Sequence, residues 1–232
     1  MDSAPDRFLS GNRTFAGLPQ NFSPESSGFS NIGRMESAGK FDWVILDAMG
    51  VIYKNGDDVS DLMIPYLRKN GCELPDDAII RAFERCSGGD IDSDDMWRLC
   101  GIDNPDGADM EHCSFYQLSS GLMPTLAAIR ARGLRIACLS NGPVEWSRLL
   151  RRRFGLEKYV DAWIVSGEVR CEKPDEKIYR ILLEKIGADP RRCLFADDNP
   201  RNIPPAEKLG IATLLFRNDK SDLLFARLLS ML

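Results

Sequence analysis

The stretch Phe41–Tyr53, FDWVILDAMGVIY, places a carboxylate and a glycine turn directly after a short apolar run. Trp43 to Leu46 predict a strand buried on both faces, which is typical of a parallel sheet. Asp47 follows at once, and in open α/β sheets ligands bind just beyond the carboxyl ends of the strands. Gly50 permits a turn in which main-chain N–H groups approach an anion. An Asp that only caps a helix would give the same local pattern, so other segments of the chain must distinguish a helix cap from a ligand-binding residue.

A second apolar strand is predicted within 134–143, LRIACLSNGP. This strand ends in Ser140, Asn141 and Gly142, which supply a hydroxyl, an amide and a glycine turn. Such groups are suited to binding an anion at the carboxyl edge of a sheet.

Two further segments place charged side chains just before a predicted helix or at the end of a predicted strand. EKPD, residues 172–175, places Lys173 just before a predicted helix start. CLFADDNPRN, residues 193–202, is another buried strand and ends in Asp197 and Asp198. A carboxylate nucleophile, a hydroxyl, a lysine and an acidic pair together indicate a phosphoryl site that binds a divalent metal.

In this order the motifs resemble the haloacid dehalogenase-like (HAD) hydrolase superfamily, most closely its phosphatase-like members with a helical cap after the first motif. The resemblance covers roughly residues 41–217. It implies an α/β fold, with a Rossmann-like core built on a parallel sheet and a small helical cap inserted after the first strand. It also implies that Asp47 is the nucleophile, and that Ser140 and Lys173 complete the catalytic set.

The same resemblance implies Mg²⁺ as cofactor and assigns further roles. The implied metal ligands are Asp47, the backbone carbonyl of Met49, Asp197 and Asp198. The implied substrate-binding residues are Ala48, Met49, Asn141 and Gly142. The expected activity is a Mg²⁺-dependent phosphohydrolase or phosphotransferase that acts on a small phosphorylated metabolite through an aspartyl phosphate.

Met49 departs from the family pattern, which has a second Asp two residues after the nucleophile as general acid and base. A thioether cannot transfer a proton, and such groups contribute about 10²–10⁴-fold to rate. Three interpretations remain open: a substrate with a weakly basic leaving group such as an acyl phosphate or diphosphate, a replacement acid from the cap or substrate, or phosphate binding without turnover. His112 is the residue of the cap that could most readily supply a proton, although a packing role is more usual for a lone histidine.

Other branches of the family are weaker alternatives. Dehalogenases also have a non-Asp residue at this position, but they lack the acidic pair and need no metal. Phosphonatases use a cap lysine; here Lys69 is more typical of a solvated helix end. A regulatory protein that retains the fold without turnover is the alternative from another functional class.

The chain divides into three predicted parts. Residues 1–40 are rich in Ser, Gly, Asn and Pro and predict a flexible extension. Residues 41–56 and 120–232 predict the α/β core, and 57–119 the cap, with about four short helices. Core strands are expected near 134–140, 162–166, 193–197 and 211–216, and core helices near 124–132, 143–154, 175–186, 202–209 and 221–231.

Composition limits the partners and location. A net charge of -5 argues against a general nucleic-acid surface, and no apolar run is long enough to span a bilayer. Seven cysteines without a C-x-x-C pair favour a reducing, cytoplasmic setting. The expected partner is a small phosphorylated substrate, with no nucleic acid and no membrane, and the chain is expected to be a monomer or homodimer.

Overall fold

A computed structural model describes residues 39–217 and 220–232. The predicted N-terminal extension, residues 1–40, lies outside the described residues except for its last two. Five parallel strands form one sheet in the order β3-β2-β1-β4-β5. The strands are β1 Trp43–Leu46, β2 Arg135–Ser140, β3 Ala162–Val165, β4 Cys193–Asp197 and β5 Ala212–Leu215. The predicted parallel α/β sheet is confirmed, and each strand lies within a residue or two of its expected position.

Among the described residues, six α-helices of the core connect or flank these strands. They are α5 Leu122–Ala131, α6 Val144–Arg153, α7 Ser166–Val169, α8 Glu176–Ile186, α9 Ile203–Lys208 and α10 Ser221–Met231. Five of them match predictions, and α7, a single short turn after β3, was missed. Pro204 and Pro205 lie in the first turn of α9, where a missing N–H breaks no helical hydrogen bond.

A helical insertion, defined here as residues 57–119, separates β1 from α5. Its α-helices are α1 Ile64–Lys69, α2 Asp76–Ser87, α3 Ser93–Leu99 and α4 Ala108–Ser114, preceded by a π-helical segment, Val59–Met63. The two chain segments that lead in and out are joined to each other. Lys54 N–H donates to Gln117 O at 2.9 Å, and Ser119 N–H donates to Ile52 O at 2.9 Å.

Both faces of the sheet are covered, which explains the unbroken apolar run in β1. Val44 and Leu46 pack in one cluster with residues of α5, α6, α10 and the insertion, whereas Trp43 and Ile45 pack in a second cluster with α8 and α9. Alternate side chains of a strand point to opposite faces, so a strand between two helical layers needs apolar residues throughout. Within 39–217 and 220–232, none of the helices has the length and apolar character required to cross a membrane.

One carboxylate of the insertion, that of Asp109, is hydrogen-bonded both within the insertion and to α6. Asp109 Oδ1 accepts from Trp97 Nε1 at 2.7 Å and from Trp146 Nε1 at 2.6 Å, and Oδ2 accepts from Ser93 Oγ at 2.6 Å. Trp97 and Ser93 belong to the insertion, whereas Trp146 belongs to α6. Because both indoles are buried, Asp109 satisfies donors that would otherwise have no partner.

We expect Asp109→Ala to lower the free energy of unfolding by about 2–4 kcal/mol, since it leaves two buried indole N–H groups and a buried hydroxyl unpaired. Urea denaturation followed by circular dichroism would measure the loss. Asp106→Ala, at an exposed position just before α4, is the matched control and should change stability by less than about 0.5 kcal/mol. Equal effects in the two variants would contradict the role of Asp109.

Candidate active site

A buried lysine joins two carboxylates at the ends of the adjacent strands β1 and β4. Asp47 follows β1 and Asp197 ends β4, and these strands are hydrogen-bonded neighbours. Lys173 Nζ donates to Asp47 Oδ1 at 2.6 Å and to Asp197 Oδ2 at 2.7 Å. The three side chains are only 2%, 9% and 0% exposed for Lys173, Asp47 and Asp197, respectively. Three groups predicted from separate segments therefore meet at one point.

Asp197 has its oxygens engaged by several donors. Asn202 Nδ2 lies 3.0 Å from both Oδ1 and Oδ2, and Asn199 N–H donates to Oδ1 at 2.8 Å. With the ammonium of Lys173 on Oδ2, each oxygen accepts two hydrogen bonds. This carboxylate is thus held in place mainly by protein donors.

Asp198 lies in a space that two glycines leave open. A Cβ on Gly50 would come within 2.0 Å of Asp198 Oδ2, and a Cβ on Gly56 within 2.5 Å of the same atom. No side-chain hydrogen bond to Asp198 occurs among the described residues. Burial, together with the nearby charge of Asp197, raises the pKa of Asp198 to about 6. A half-buried carboxylate without a protein cation is suited to binding a metal ion.

One oxygen of Asp47 is engaged and the other is open. Oδ1 accepts from Ala48 N–H at 2.6 Å as well as from Lys173, whereas Oδ2 has no donor within the described ranges. Burial raises the pKa of Asp47, and the ammonium of Lys173 opposes this rise. Oxygens of Asp47, Asp197 and Asp198 lie within 4.8 Å of one another. This all-oxygen set fits a hard divalent cation such as Mg²⁺.

The loop after β2 is tied to the loop that carries Lys173. Asn141 Nδ2 donates to Lys173 O at 2.8 Å, and Lys173 N–H donates to Asn141 Oδ1 at 2.8 Å. Within the described parts of the chain, the one hydrogen bond of Ser140 Oγ is a 3.2 Å contact in which it donates to Asn141 O. The side chain of Asn141 therefore orients Lys173, and its predicted role in substrate binding stays a prediction.

Ser166 was missed by sequence reasoning, although its position directly after β3 matches that of the other site residues. Its wholly buried Oγ accepts from Gly142 N–H at 2.9 Å and donates to Ser87 O at 2.6 Å. Ser87 Oγ in turn donates to Glu172 Oε1 at 2.7 Å. The end of α2 is thus joined to Ser166 and to the loop that carries Lys173. Gly142 was predicted to bind substrate, but its N–H is already hydrogen-bonded to Ser166.

Met49 borders a small cavity beside the nucleophile loop. The cavity has a volume of about 10 Å³, and its lining includes Ala48, Met49, Ser140, Trp146 and Trp163. This is at most the space of one water molecule. Its lining contains neither a carboxylate nor the imidazole of the insertion, and its ionisable side chains are those of Tyr53 and Cys138.

His112 is an interior residue rather than a proton donor. It is 0% exposed, and its ring lies among Tyr66, Trp97, Tyr116 and Trp146, with the Trp146 centroid 4.3 Å away. Burial lowers the pKa of the imidazole to about 3. The hypothesis of His112 as replacement acid is therefore not supported, because burial keeps the ring neutral and away from the cavity beside Met49.

The fold and the site define an α/β protein with three carboxylates around a buried lysine at the carboxyl edge of a parallel sheet. Residues 41–210 match the family model described as haloacid dehalogenase-like hydrolase. The chain belongs to this family of hydrolases.

Relatives in the family include phosphatases. The chain is 29% identical over 138 residues to flavin mononucleotide hydrolase 1 of Arabidopsis thaliana, a match that covers 57% of this chain and 56% of that protein. It is also 29% identical over 108 residues to the N-acetylmuramic acid 6-phosphate phosphatase of Pseudomonas aeruginosa, covering 46% and 48%, respectively. The chain thus spans about half the length of the curated relatives it matches.

Solved structures show the same fold. A HAD-family enzyme of Bacteroides thetaiotaomicron in a magnesium complex matches with a TM-score of 0.68 at 22% identity, covering 79% of this chain and 98% of that one. The L-2-haloacid dehalogenase of Xanthobacter autotrophicus matches with a TM-score of 0.55 at 21% identity, covering 75% and 76%. At these identities the likeness establishes the fold alone.

His112 provides a test of the interior electrostatics, because it is the only histidine of the chain. We expect its NMR signals not to titrate between pH 5 and 8. Its folded-state pKa, about 3, lies below the ordinary 6.5, so the unfolded chain takes up the proton first. The buried, neutral imidazole therefore contributes to the free energy of unfolding above about pH 6.5. This contribution is lost as the pH falls toward 3, at up to about 1.4 kcal/mol per pH unit.

The control is His112→Gln, which should lack this part of the pH dependence when urea denaturation is repeated across the same range. A folded-state titration midpoint near pH 6.5 would contradict the burial of His112.

Proposed function

We propose that the chain is a Mg²⁺-dependent phosphohydrolase or phosphotransferase that acts on a small phosphorylated metabolite. The observation that carries this proposal is the buried contact of Lys173 with Asp47 and Asp197, with Asp198 close by. An ammonium and a divalent cation would offset the repulsion between these carboxylates and a phosphate dianion. Membership of the family and its phosphatase relatives support the same activity.

In the proposed reaction Asp47 is the nucleophile. Its open Oδ2 attacks phosphorus, the new oxygen–phosphorus bond forms as the bond to the leaving oxygen breaks, and an aspartyl phosphate results. Water then attacks the phosphorus, which returns the carboxylate and releases phosphate; an acceptor alcohol in place of water gives phosphotransfer. Lys173, the hydroxyl of Ser140 and the N–H group of Met49 would bind the oxygens that are transferred. The N–H of Ala48, another predicted substrate-binding residue, already donates to Asp47 Oδ1.

Asp47, the carbonyl of Met49 and Asp198 would hold Mg²⁺, with Asp197 contributing directly or through water. The engaged oxygens of Asp197 favour the second arrangement. Bound Mg²⁺ supplies positive charge that polarises the phosphoryl group. The magnesium complex of the Bacteroides thetaiotaomicron neighbour supports this assignment by analogy.

Met49 restricts the range of substrates. Without a proton donor beside the leaving oxygen, a strongly basic alkoxide leaves slowly, whereas an acyl phosphate, a diphosphate or an aryl phosphate needs little help. We therefore favour substrates with weakly basic leaving groups. The helical insertion, whose α2 contacts Ser166 after β3 and the loop of Lys173, would act as the cap over such a substrate.

Two other functions are less well supported. A dehalogenase needs no metal, so the cluster of three carboxylates favours the phosphohydrolase over it. A regulatory protein without turnover would have little reason to bury a lysine between two carboxylates, because each charge removed from water requires compensation.

A screen of phosphorylated metabolites with and without Mg²⁺ tests the proposal. On the best substrate, Asp47→Asn should lower kcat by roughly 10⁴–10⁶-fold, the range found when a nucleophile is removed.

Asp198→Asn should lose activity together with the rise in melting temperature that Mg²⁺ gives the native protein. Asp103→Asn, in the exposed loop after α3, is the control and should behave as native.

Native activity that persists in a chelator would show the metal assignment to be wrong. A near-native rate in Asp47→Asn would rule out the covalent intermediate.

Met49→Asp tests the missing acid. The new carboxyl would lie beside the small cavity next to the nucleophile loop, where it could donate a proton to the leaving oxygen. Hydrolysis of an alkyl phosphate should rise by up to roughly 10²–10⁴-fold, and that of an aryl phosphate much less. Met49→Asn, of the same size without a titratable proton, is the control. Equal gains on both esters would mean that residue 49 does not occupy the place of the proton donor.

A further inference from the structure

The hydroxyl of Tyr53 is buried without a partner from the protein. Tyr53 is 2% exposed, and its Oη makes no hydrogen bond with any residue in 39–217 or 220–232. Buried polar groups are usually paired, because an unpaired one loses its hydrogen bonds to water without replacement. A phenylalanine would pack the same ring here without that loss. The hydroxyl therefore points to a partner that does not belong to the chain.

Packing fixes the position of this ring. The Tyr53 centroid lies 5.7 Å from that of Tyr116 in an edge-to-face contact, and 5.9 Å from that of Phe154. The backbone is fixed as well, since Tyr53 N–H donates to Ala48 O at 2.8 Å. Tyr53 is therefore held directly against the nucleophile loop, of which Ala48 is part.

Tyr53 lines the small cavity beside the nucleophile loop. The same lining includes Ala48, Met49, Cys138 and Ser140. The pKa of Tyr53 is raised by burial and, next, by the thiol of Cys138, so the hydroxyl end of the ring is close to a second side chain of this lining. The volume of about 10 Å³ corresponds to the space of one water molecule. Water is thus the partner that fits both the hydroxyl and the cavity.

The cavity is close to the charge of the proposed nucleophile. Burial raises the pKa of the Cys138 thiol, and the carboxylate of Asp47 raises it further. Met49, in the same lining, stands where the family pattern has the carboxylate that activates water. A water in this cavity would therefore lie on the side of Asp47 where the family places water activation.

Ser140 offers this water a second hydrogen-bonding group. Its Oγ lines the cavity and donates to Asn141 O at 3.2 Å, which leaves the lone pairs of the hydroxyl as acceptors. A buried water requires two or more polar partners. The hydroxyls of Tyr53 and Ser140 satisfy this requirement.

We propose that Tyr53 Oη and Ser140 Oγ hold the water that hydrolyses the aspartyl phosphate, so that Tyr53 positions the attacking molecule of the second step. The proposal rests on the proposed function, which supplies the aspartyl phosphate. A weakly basic leaving group removes the need for an acid in the first step, but the second step still requires an oriented water.

The proposed step is balanced without any further reagent. The water oxygen forms a bond to phosphorus as the bond from phosphorus to Asp47 Oδ2 breaks, and a water proton passes to a phosphate oxygen. Tyr53 contributes only hydrogen bonds and keeps its own proton throughout. Its hydroxyl can both donate to the water and accept from it.

Tyr53→Phe removes this hydroxyl and retains the ring. With p-nitrophenyl phosphate and Mg²⁺, we expect the variant to hydrolyse the aspartyl phosphate roughly 10–100-fold more slowly, the effect of a misplaced reactant. Its kcat/KM should stay within about twofold of native, because this ratio reports only the steps up to the aspartyl phosphate. Quenched-flow measurements should therefore show a burst of nitrophenol followed by slow turnover.

Tyr159→Phe is the matched control, because Tyr159 is half-buried and lies outside the cavity lining. It should behave as native. The melting temperature of Tyr53→Phe should also be close to native, since the lost hydroxyl has no protein partner. A fall in kcat/KM equal to the fall in kcat, or a clearly lower melting temperature, would indicate a structural role for Tyr53 and overturn the proposal.

Cys138→Val is a second, independent variant. Its larger side chain reduces the space for water while the hydroxyl of Tyr53 remains. We expect the same selective slowing of the second step. A native rate of that step in Cys138→Val would show that the cavity does not hold the attacking water and would overturn the proposal.

Trapping of the aspartyl phosphate by acid quench separates this proposal from the proposed function. If the native protein forms no aspartyl phosphate, the proposed function fails and the role of Tyr53 fails with it. If the intermediate forms and Tyr53→Phe hydrolyses it at the native rate, only the role of Tyr53 is overturned.

Discussion

The ammonium of Lys173 between Asp47 and Asp197 is the contact on which the rest of the site depends. These three charges are nearly excluded from water, so each is stable only while the others remain in place. The two carboxylates are held by adjacent strands, and the lysine is held by the amide of Asn141 on the loop after β2. Parallel pairing of β1 with its neighbours is therefore what sets the distances between the charged groups.

The helical insertion is joined to this charged centre by hydrogen bonds as well as by apolar packing. Ser87, at the end of α2, contacts both Ser166 and Glu172, and Ser166 also holds the N–H of Gly142. The loops after β2 and β3 therefore share partners with a part of the chain that lies outside the core. Glu172, to which Ser87 donates, directly precedes Lys173 in the chain.

Sequence periodicity and motif order were sufficient for the sheet and for the convergence of Asp47, Lys173 and Asp197, because strand ends in a parallel sheet must meet at one edge. They were insufficient to predict how the insertion packs within itself and against the core. Nothing near Asp109 in sequence indicates that it pairs with the indole of Trp146, and nothing near His112 indicates that aromatic rings enclose it. Such contacts depend on how the insertion packs against α6, which has no local signature.

The shared carboxylate of Asp109 has a spectroscopic consequence. Trp97 of the insertion and Trp146 of the core lie with ring centroids 5.6 Å apart, and both indoles donate to the same oxygen. Separation of the insertion from α6 would pull the rings apart and expose at least one indole N–H to water. The emission maximum of the protein would then shift to longer wavelength without any attached dye. Of the two remaining tryptophans, Trp43 packs in the cluster with α8 and α9 and would provide a constant background, whereas Trp163 lines the same cavity as Trp146.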